Sequence, residues 1–218
     1  MRARLVLGVV ALMALTACSR AAADPDPAGL LSSAKANATA QSSVHMTGTG
    51  GCSGTAFSTD MQLHKDGSGA GAITYGGQKL SIVTTKDSLY VNAPSAFWTS
   101  QSGPVAAAKI GTHWVSLPKA SNVCLAALGS MSDVMANYLG YDGTPKLLAG
   151  TSYKGTAARL VGVGSTTGVW IATDTTLPIA VKDSAAQTDV AFSDWGSGAS
   201  VIVPPASDVI SSSTLPKA

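Results

Sequence analysis

From Thr55 to Lys65 the chain reads TAFSTDMQLHK, and Phe57, Thr59, Met61 and Leu63 alternate with Ser58, Asp60, Gln62 and His64. A period of two puts the first set on the apolar face of a strand and the second on its wet face. Gly71–Tyr75, Gln78–Thr84 and Ser88–Asn92 continue the pattern, separated by Gly76-Gly77 and Lys86-Asp87 turns, and read as hairpin-linked strands. The period changes on either side of this block. LLSSAKANATAQSS, residues 30–43, contains no Gly or Pro and predicts a helix. Residues 94–108 read as loop or short helix, and 113–117 as a short strand. VCLAALGSMSDVMANYL, residues 123–139, supports one helix, or two broken near Gly129, with a broad apolar stripe of Leu125, Leu128, Met131, Val134, Met135, Tyr138 and Leu139. Strand patterns resume at 156–163, 168–173, 178–183, 189–193 and 200–203. The sum predicts an α+β fold in which one large antiparallel sheet is covered on one face by helices.

The two ends of the chain do not fit this block. Met1–Arg4 carry two arginines and Leu5–Ala14 are almost continuously apolar, the charged and greasy parts of an export signal. The run is too short to cross the ~30 Å hydrocarbon core as a permanent helix, which takes about 20 residues. Leu15, Thr16, Ala17 and Cys18 then resemble the bacterial lipobox, and the resemblance implies cleavage before Cys18 with diacylglycerol on its sulfur. This divides the chain into a signal peptide (1–17), a lipidated tether (18–29) rich in small residues and Pro, one folded domain (30–206) and a flexible tail (207–218). The expected location is the extracytoplasmic face of the cell membrane.

Composition narrows the partners. The precursor has 14 Lys and Arg against 12 acidic residues, every one an Asp; residues 1–17 hold Arg2 and Arg4, so the remainder is formally neutral. It lacks the basic footprint of a nucleic-acid binder and has no polybasic run for anionic lipid. With Cys18 assigned to lipid, Cys52 and Cys124 remain in an oxidising compartment. Either they form a disulfide closing a long loop, worth ~2–4 kcal/mol if unstrained, or they are two separate buried thiols, since sequence does not bring their Cα atoms together.

Catalytic motifs are poor. Ser165 in VGVGSTTG has the wrong spacing for a nucleophile elbow, and the S-x-x-K pairs Ser32/Lys35 and Ser116/Lys119 lack the companion motifs of the acyl-serine enzymes. GSGAGA from Gly67 is followed by β-type residues, so no helix N-terminus faces a pyrophosphate. His45, His64 and His113 adjoin no Cys or carboxylate at metal-ligand intervals, although strands bring distant residues together. The sequence therefore predicts no enzyme, no cofactor and no metal; a clustered nucleophile and base would be needed to revive a hydrolase.

The ordering of small motifs carries a resemblance: the lipobox, the helix running into SSVHMTGTG, KDSLYVNAPSAFW, KIGTHWVSLP, and AQTDVAFSDWGSGASVIVPP. Across nearly the whole mature chain it is similar to the LppX/LprG-type actinobacterial lipoproteins, within the LolA/LolB-like half-barrels. The resemblance implies a strongly curved sheet whose concave face, lidded by helices, holds the acyl chains of a lipid or glycolipid. The candidate lining is Met61, Leu63, Ile73, Leu80, Ile82, Leu89 and Val91 from the early strands with Leu125, Leu128, Met131, Met135 and Leu139 from the central helices. The function expected is a membrane-anchored, non-enzymatic lipid carrier. The alternative is an envelope-structural or protein-interaction lipoprotein without bound lipid, in which the same residues are ordinary core; its protein partner is unknown.

Overall fold

The computed structural model describes residues 24–52, 54–119, 125, 128–140 and 143–216. The signal peptide, Cys18 and Cys124 lie outside the described residues, as does the side chain of Cys52, so the lipidation and disulfide expectations are not addressed by it.

Helix α1 (Pro27–Ala40) starts three residues before the expected Leu30, because Asp26 caps it: the carboxylate accepts from the backbone N–H groups of Ala28 (3.4 Å) and Gly29 (2.8 Å), and Pro27 fills the first turn, where no N–H is needed. It buries Leu31, Ala34 and Ala38, one stripe of mostly small residues, and packs on the helix Met131–Leu139. The helix ends at Gln41, and Ser43, expected in the helix, instead opens a strand.

Strands β1 (Ser43–Cys52), β2 (Thr55–His64), β3 (Gly69–Tyr75), β4 (Gln78–Thr84), β5 (Ser88–Asn92) and β6 (Trp114–Pro118) form one antiparallel meander. The segment after it supplies β7 (Lys146–Leu148), β8 (Ser152–Tyr153), β9 (Thr156–Val163), β10 (Thr167–Ala172), β11 (Pro178–Asp183) and β12 (Thr188–Ser193). β1 joins the two halves by pairing with β2 on one side and β12 on the other, Met46 lying opposite both Met61 and Phe192. With β13 (Val209–Ser211) the described residues form an unclosed mixed sheet of 13 strands in the order β13-β6-β5-β4-β3-β2-β1-β12-β11-β10-β9-β7, β8 pairing with β9. Only β13, against β6, is parallel. Glycines inside the ladder let backbones close up: a Cβ on Gly48 would strike the Asp189 carbonyl, and one on Gly71 the Asp60 carbonyl.

Two helices complete the described fold. α2 (Ser95–Ile110) replaces the expected loop or short helix, and it is broken at Gly103 (φ 81°, ψ 165°) just before Pro104, which has no N–H to continue the ladder. α3 (Met131–Leu139) follows a turn at Leu128-Gly129, so the expected break near Gly129 is present.

The C-terminal end differs from expectation. Residues 207–216, expected as a tail, carry structure: β13 adds to β6, Ser212–Thr214 form a 3-10 turn, and the Lys109 ammonium donates to the Thr214 carbonyl at 2.7 Å. Conversely, 200–203 has strand-like composition but is in no ladder among the described residues. Residues 194–208 form a strap that leaves β12 at the centre of the sheet and crosses its outer face to reach β6 near the far edge.

Candidate functional site

The inner face of the sheet is built by the alternation already visible in β2: Phe57, Thr59, Met61 and Leu63 are buried, whereas Ser58 and Asp60 are exposed. Register carries this face across the neighbours, Met61 lying opposite Met46, Ile73 opposite Leu80, and Ile82 opposite Val91. Facing it, α3 presents Met131, Val134, Met135 and Leu139. All twelve residues singled out in the sequence are buried, between 0% and 7% exposed, and belong to one apolar cluster. Those twelve are a minority of the cluster's 32 buried residues among those described. Val161, Val169, Ile171, Val181, Val190 and Phe192 continue it on the later strands, where β9, β10 and β11 carry runs of consecutive buried residues that blur the alternation. Phe97, Trp98, Ala107 and Ile110 of α2 were missed because the Gly103-Pro104 break hides the helical period.

Covering and covered layers are held together at identifiable points. The Thr84 hydroxyl, fully buried at the end of β4, donates to the Gly129 carbonyl at 2.5 Å, immediately before Ser130, the residue that caps α3. A side chain on Gly129 would collide with Thr84, so only glycine permits this approach. On the other flank Tyr138 of α3 meets Phe192 of β12 edge-on (6.3 Å between centroids), and Phe192 meets Trp195 of the strap (6.0 Å). Burial pushes the Tyr138 phenol above its ordinary pKa, keeping it neutral. Among the polar atoms at the apolar cluster that have no hydrogen-bond partner among the described residues are Thr59 Oγ1 on the inner face and Trp98 Nε1 on α2, with Trp195 Nε1 at the cluster's edge. Unpaired buried donors cost about 1–3 kcal/mol each, so Thr59 and Trp98, the most deeply buried of these, are polar features of the interior that call for a partner.

The outer face is chemically different. His45 Nε2 is 2.8 Å from Asp60 Oδ1, its Nδ1 is 3.3 Å from Ser193 Oγ and 3.5 Å from Asp194 Oδ2, and Ser193 Oγ also donates to Asp194 Oδ2 at 3.0 Å. Strand pairing thus gathers a hydroxyl, an imidazole and two carboxylates that sequence spacing kept apart. The group lies on the solvent side: Asp60 is 73% and Asp194 66% exposed, in an open cleft of about 470 Å³ shared with Gln62 and the strap residues Ser197, Gly198 and Ala199. With the serine proton directed to its own neighbour's carboxylate, the arrangement is a polar clamp joining β1, β2 and the root of the strap. His64 lines a second outer cleft and His113 Nδ1 contacts the Ile110 carbonyl at 3.0 Å; Asp60 and Asp194 sit against opposite nitrogens of the His45 ring, and among the described residues no three His, Cys or Asp side chains are placed to hold one metal ion.

Interior and fold together invite comparison with solved structures. LprF from Mycobacterium bovis, a member of the LppX/LprG family, superposes with a TM-score of 0.54 at 14% identity over 83% of this chain and 99% of that one. The chain has the fold of LprF. That agrees with the curved α+β sheet expected from the sequence. An uncharacterised conserved protein from Thermus thermophilus aligns over 84% of this chain and 98% of its own, at 9% identity and a TM-score of 0.43. No protein-family model matches the chain, and no curated protein matches it in sequence. No described helix is long and apolar enough to cross a membrane.

Proposed function

We propose that the protein is a membrane-anchored lipid carrier: Cys18 bears the anchor, and the layer between the inner face and the helices shields the acyl chains of a lipid or glycolipid from water. The observation that carries this reading is the make-up of that layer, a continuous apolar surface on an unclosed sheet, rich in Met (Met46, Met61, Met131, Met135) and covered by short or broken helices. Methionine adapts to ligands of varied contour, and removing an acyl chain from water is worth about 0.8 kcal/mol per methylene. Loading requires the cover to separate from the sheet, and the Gly103-Pro104 break and the turn at Gly129 are the places where it is jointed. Thr59 Oγ1 and Trp98 Nε1 supply hydrogen bonds for the ester or sugar oxygens of such a ligand. Likeness of fold to LprF supports the reading without identifying the lipid.

The test uses the Cys18→Ala protein, so that the covalent anchor does not confuse the result. Organic extraction of the purified protein followed by mass spectrometry should release a diacyl lipid at near-stoichiometric amount. Lipid-free protein that takes up none when offered total membrane lipid would overturn the carrier reading. In fractionated cells the wild type should sediment with membranes and Cys18→Ala should not.

A further inference from the structure

We infer that one end of the sheet is a membrane-docking surface, at which the strap residues Ile202 and Val203 rest in the bilayer interface; the inference rests on the anchoring of Cys18 proposed above. The pairings collect at this end the starts of β1, β3, β5, β9 and β11 and the finishes of β2, β4, β6, β10 and β12. Two observations coincide there.

The first is where the chain arrives. Asp24, the first described residue, lies 3.8 Å from Arg159, in the half of β9 that begins at this end. Further along α1, Asn37 donates to the Thr175 carbonyl in the turn between β10 and β11, at the same end. Six residue steps separate Cys18 from Asp24, so full extension spans at most about 20 Å. A ten-residue strand such as β2 is about 33 Å long. Arg159 is the fourth residue of β9, about 10 Å from the near end. Within that tether the near end reaches the bilayer with slack; the far end of β9, four residues beyond Arg159, is about 13 Å away and the far end of the longer β2 farther still, so the near end is the one the anchor reaches most easily.

The second is what is displayed there. Ser200, Val201 and Val203 border an outer cleft of about 430 Å³ with His64, Asp66, Ser68, Thr85 and Lys86 of the turns at this end. Ile202 is 84% exposed and Val203 44%, in a run VIVPP whose backbone N–H groups at 201–203 make no hydrogen bond among the described residues. An apolar, β-branched, unpaired strip stiffened by Pro204 and Pro205 is costly to leave in water, but at an interface its side chains enter the acyl boundary and its amides meet ester and phosphate oxygens. The flanking turns carry Lys65 and Lys86 but also Asp66 and Asp87, so the contact is apolar rather than electrostatic. Tethering makes this weak contact effective, because it becomes intramolecular to the anchored protein.

Hydrogen exchange on the full lipidated chain in phosphatidylcholine vesicles tests this, with soluble Cys18→Ala protein as reference. Amides at 201–203 should exchange at least tenfold more slowly on vesicles, equally with or without phosphatidylglycerol. Ile202→Asp/Val203→Asp, checked for an unchanged melting profile, should remain vesicle-bound yet lose the protection. Equal exchange in the two states, protection that requires anionic lipid, or protection of the soluble protein that rises with its concentration, the sign of a second copy covering the strip, would each overturn the inference. Wild-type protein that fails to float with vesicles would instead show that the anchor assignment is wrong.

Discussion

At the scale of single residues, Thr84 and Gly129 show how tightly the cover is seated. Gly129→Ala forces a methyl into the Thr84 side chain, and overpacking of this kind costs about 1–3 kcal/mol; urea denaturation should show a lower midpoint with an unchanged slope. Thr59 separates core from site. Thr59→Val keeps the shape and removes a hydroxyl that has no partner in the described structure, so the lipid-free protein should be unchanged or stabilised by up to about 1 kcal/mol, while co-purifying lipid declines. If lipid content is unaltered, that hydroxyl has no part in binding. Asp183 sets part of the acid limit. Its carboxylate accepts from the Thr167 hydroxyl at 2.6 Å and from the N–H groups of Ala186 and Ala185, which hold its pKa below the ordinary 3.8. A depressed carboxylate contributes stability that is present above 3.8 and is lost as pH falls through its lower folded value. Asp183→Asn should therefore lose stability at neutral pH and show a shallower decline as pH falls below 3.8; an unchanged acid profile would contradict the assignment.

Individual elements were legible in the sequence to the extent that one face is wet. β2, with Asp60 and Gln62 outward, announces its own register, and each candidate from β2 to β5 is on the buried side. α3 was legible for the same reason, from the spacing of Met131, Val134 and Met135. α2 was not, because Gly103 and Pro104 are local punctuation that tertiary packing of Phe97, Trp98 and Ile110 overrides. β1 was hidden by its glycines, and β13 by its polar composition, since it is held by a parallel ladder to β6 rather than by apolar alternation. The His45 cluster is invisible to spacing, as its members meet only through the pairing of β1 with β2 and β12. The clamp reading makes an element-scale prediction: His45→Ala should loosen the root of the strap, raising hydrogen exchange around 194–198, at a cost of about 1 kcal/mol or less to global stability because the group is exposed. Equal exchange in the two proteins would remove the clamp from the account.

For the whole molecule, the arrangement assigns different jobs to the two faces of one sheet. The inner face is apolar apart from the Thr59 and Thr84 hydroxyls and jointed where it is covered; the outer face carries the charges, the clamp and the strap. A carrier needs that division, with a dry interior for the cargo and an exterior that tolerates water. The most direct measurement is photo-crosslinking of the Cys18→Ala protein with a diacyl phospholipid bearing a photoreactive group at an acyl terminus. The account predicts adducts on inner-face and cover peptides, residues 57–63, 80–91 and 131–139. Adducts confined to the outer strap and its neighbours, or none above background, would contradict it.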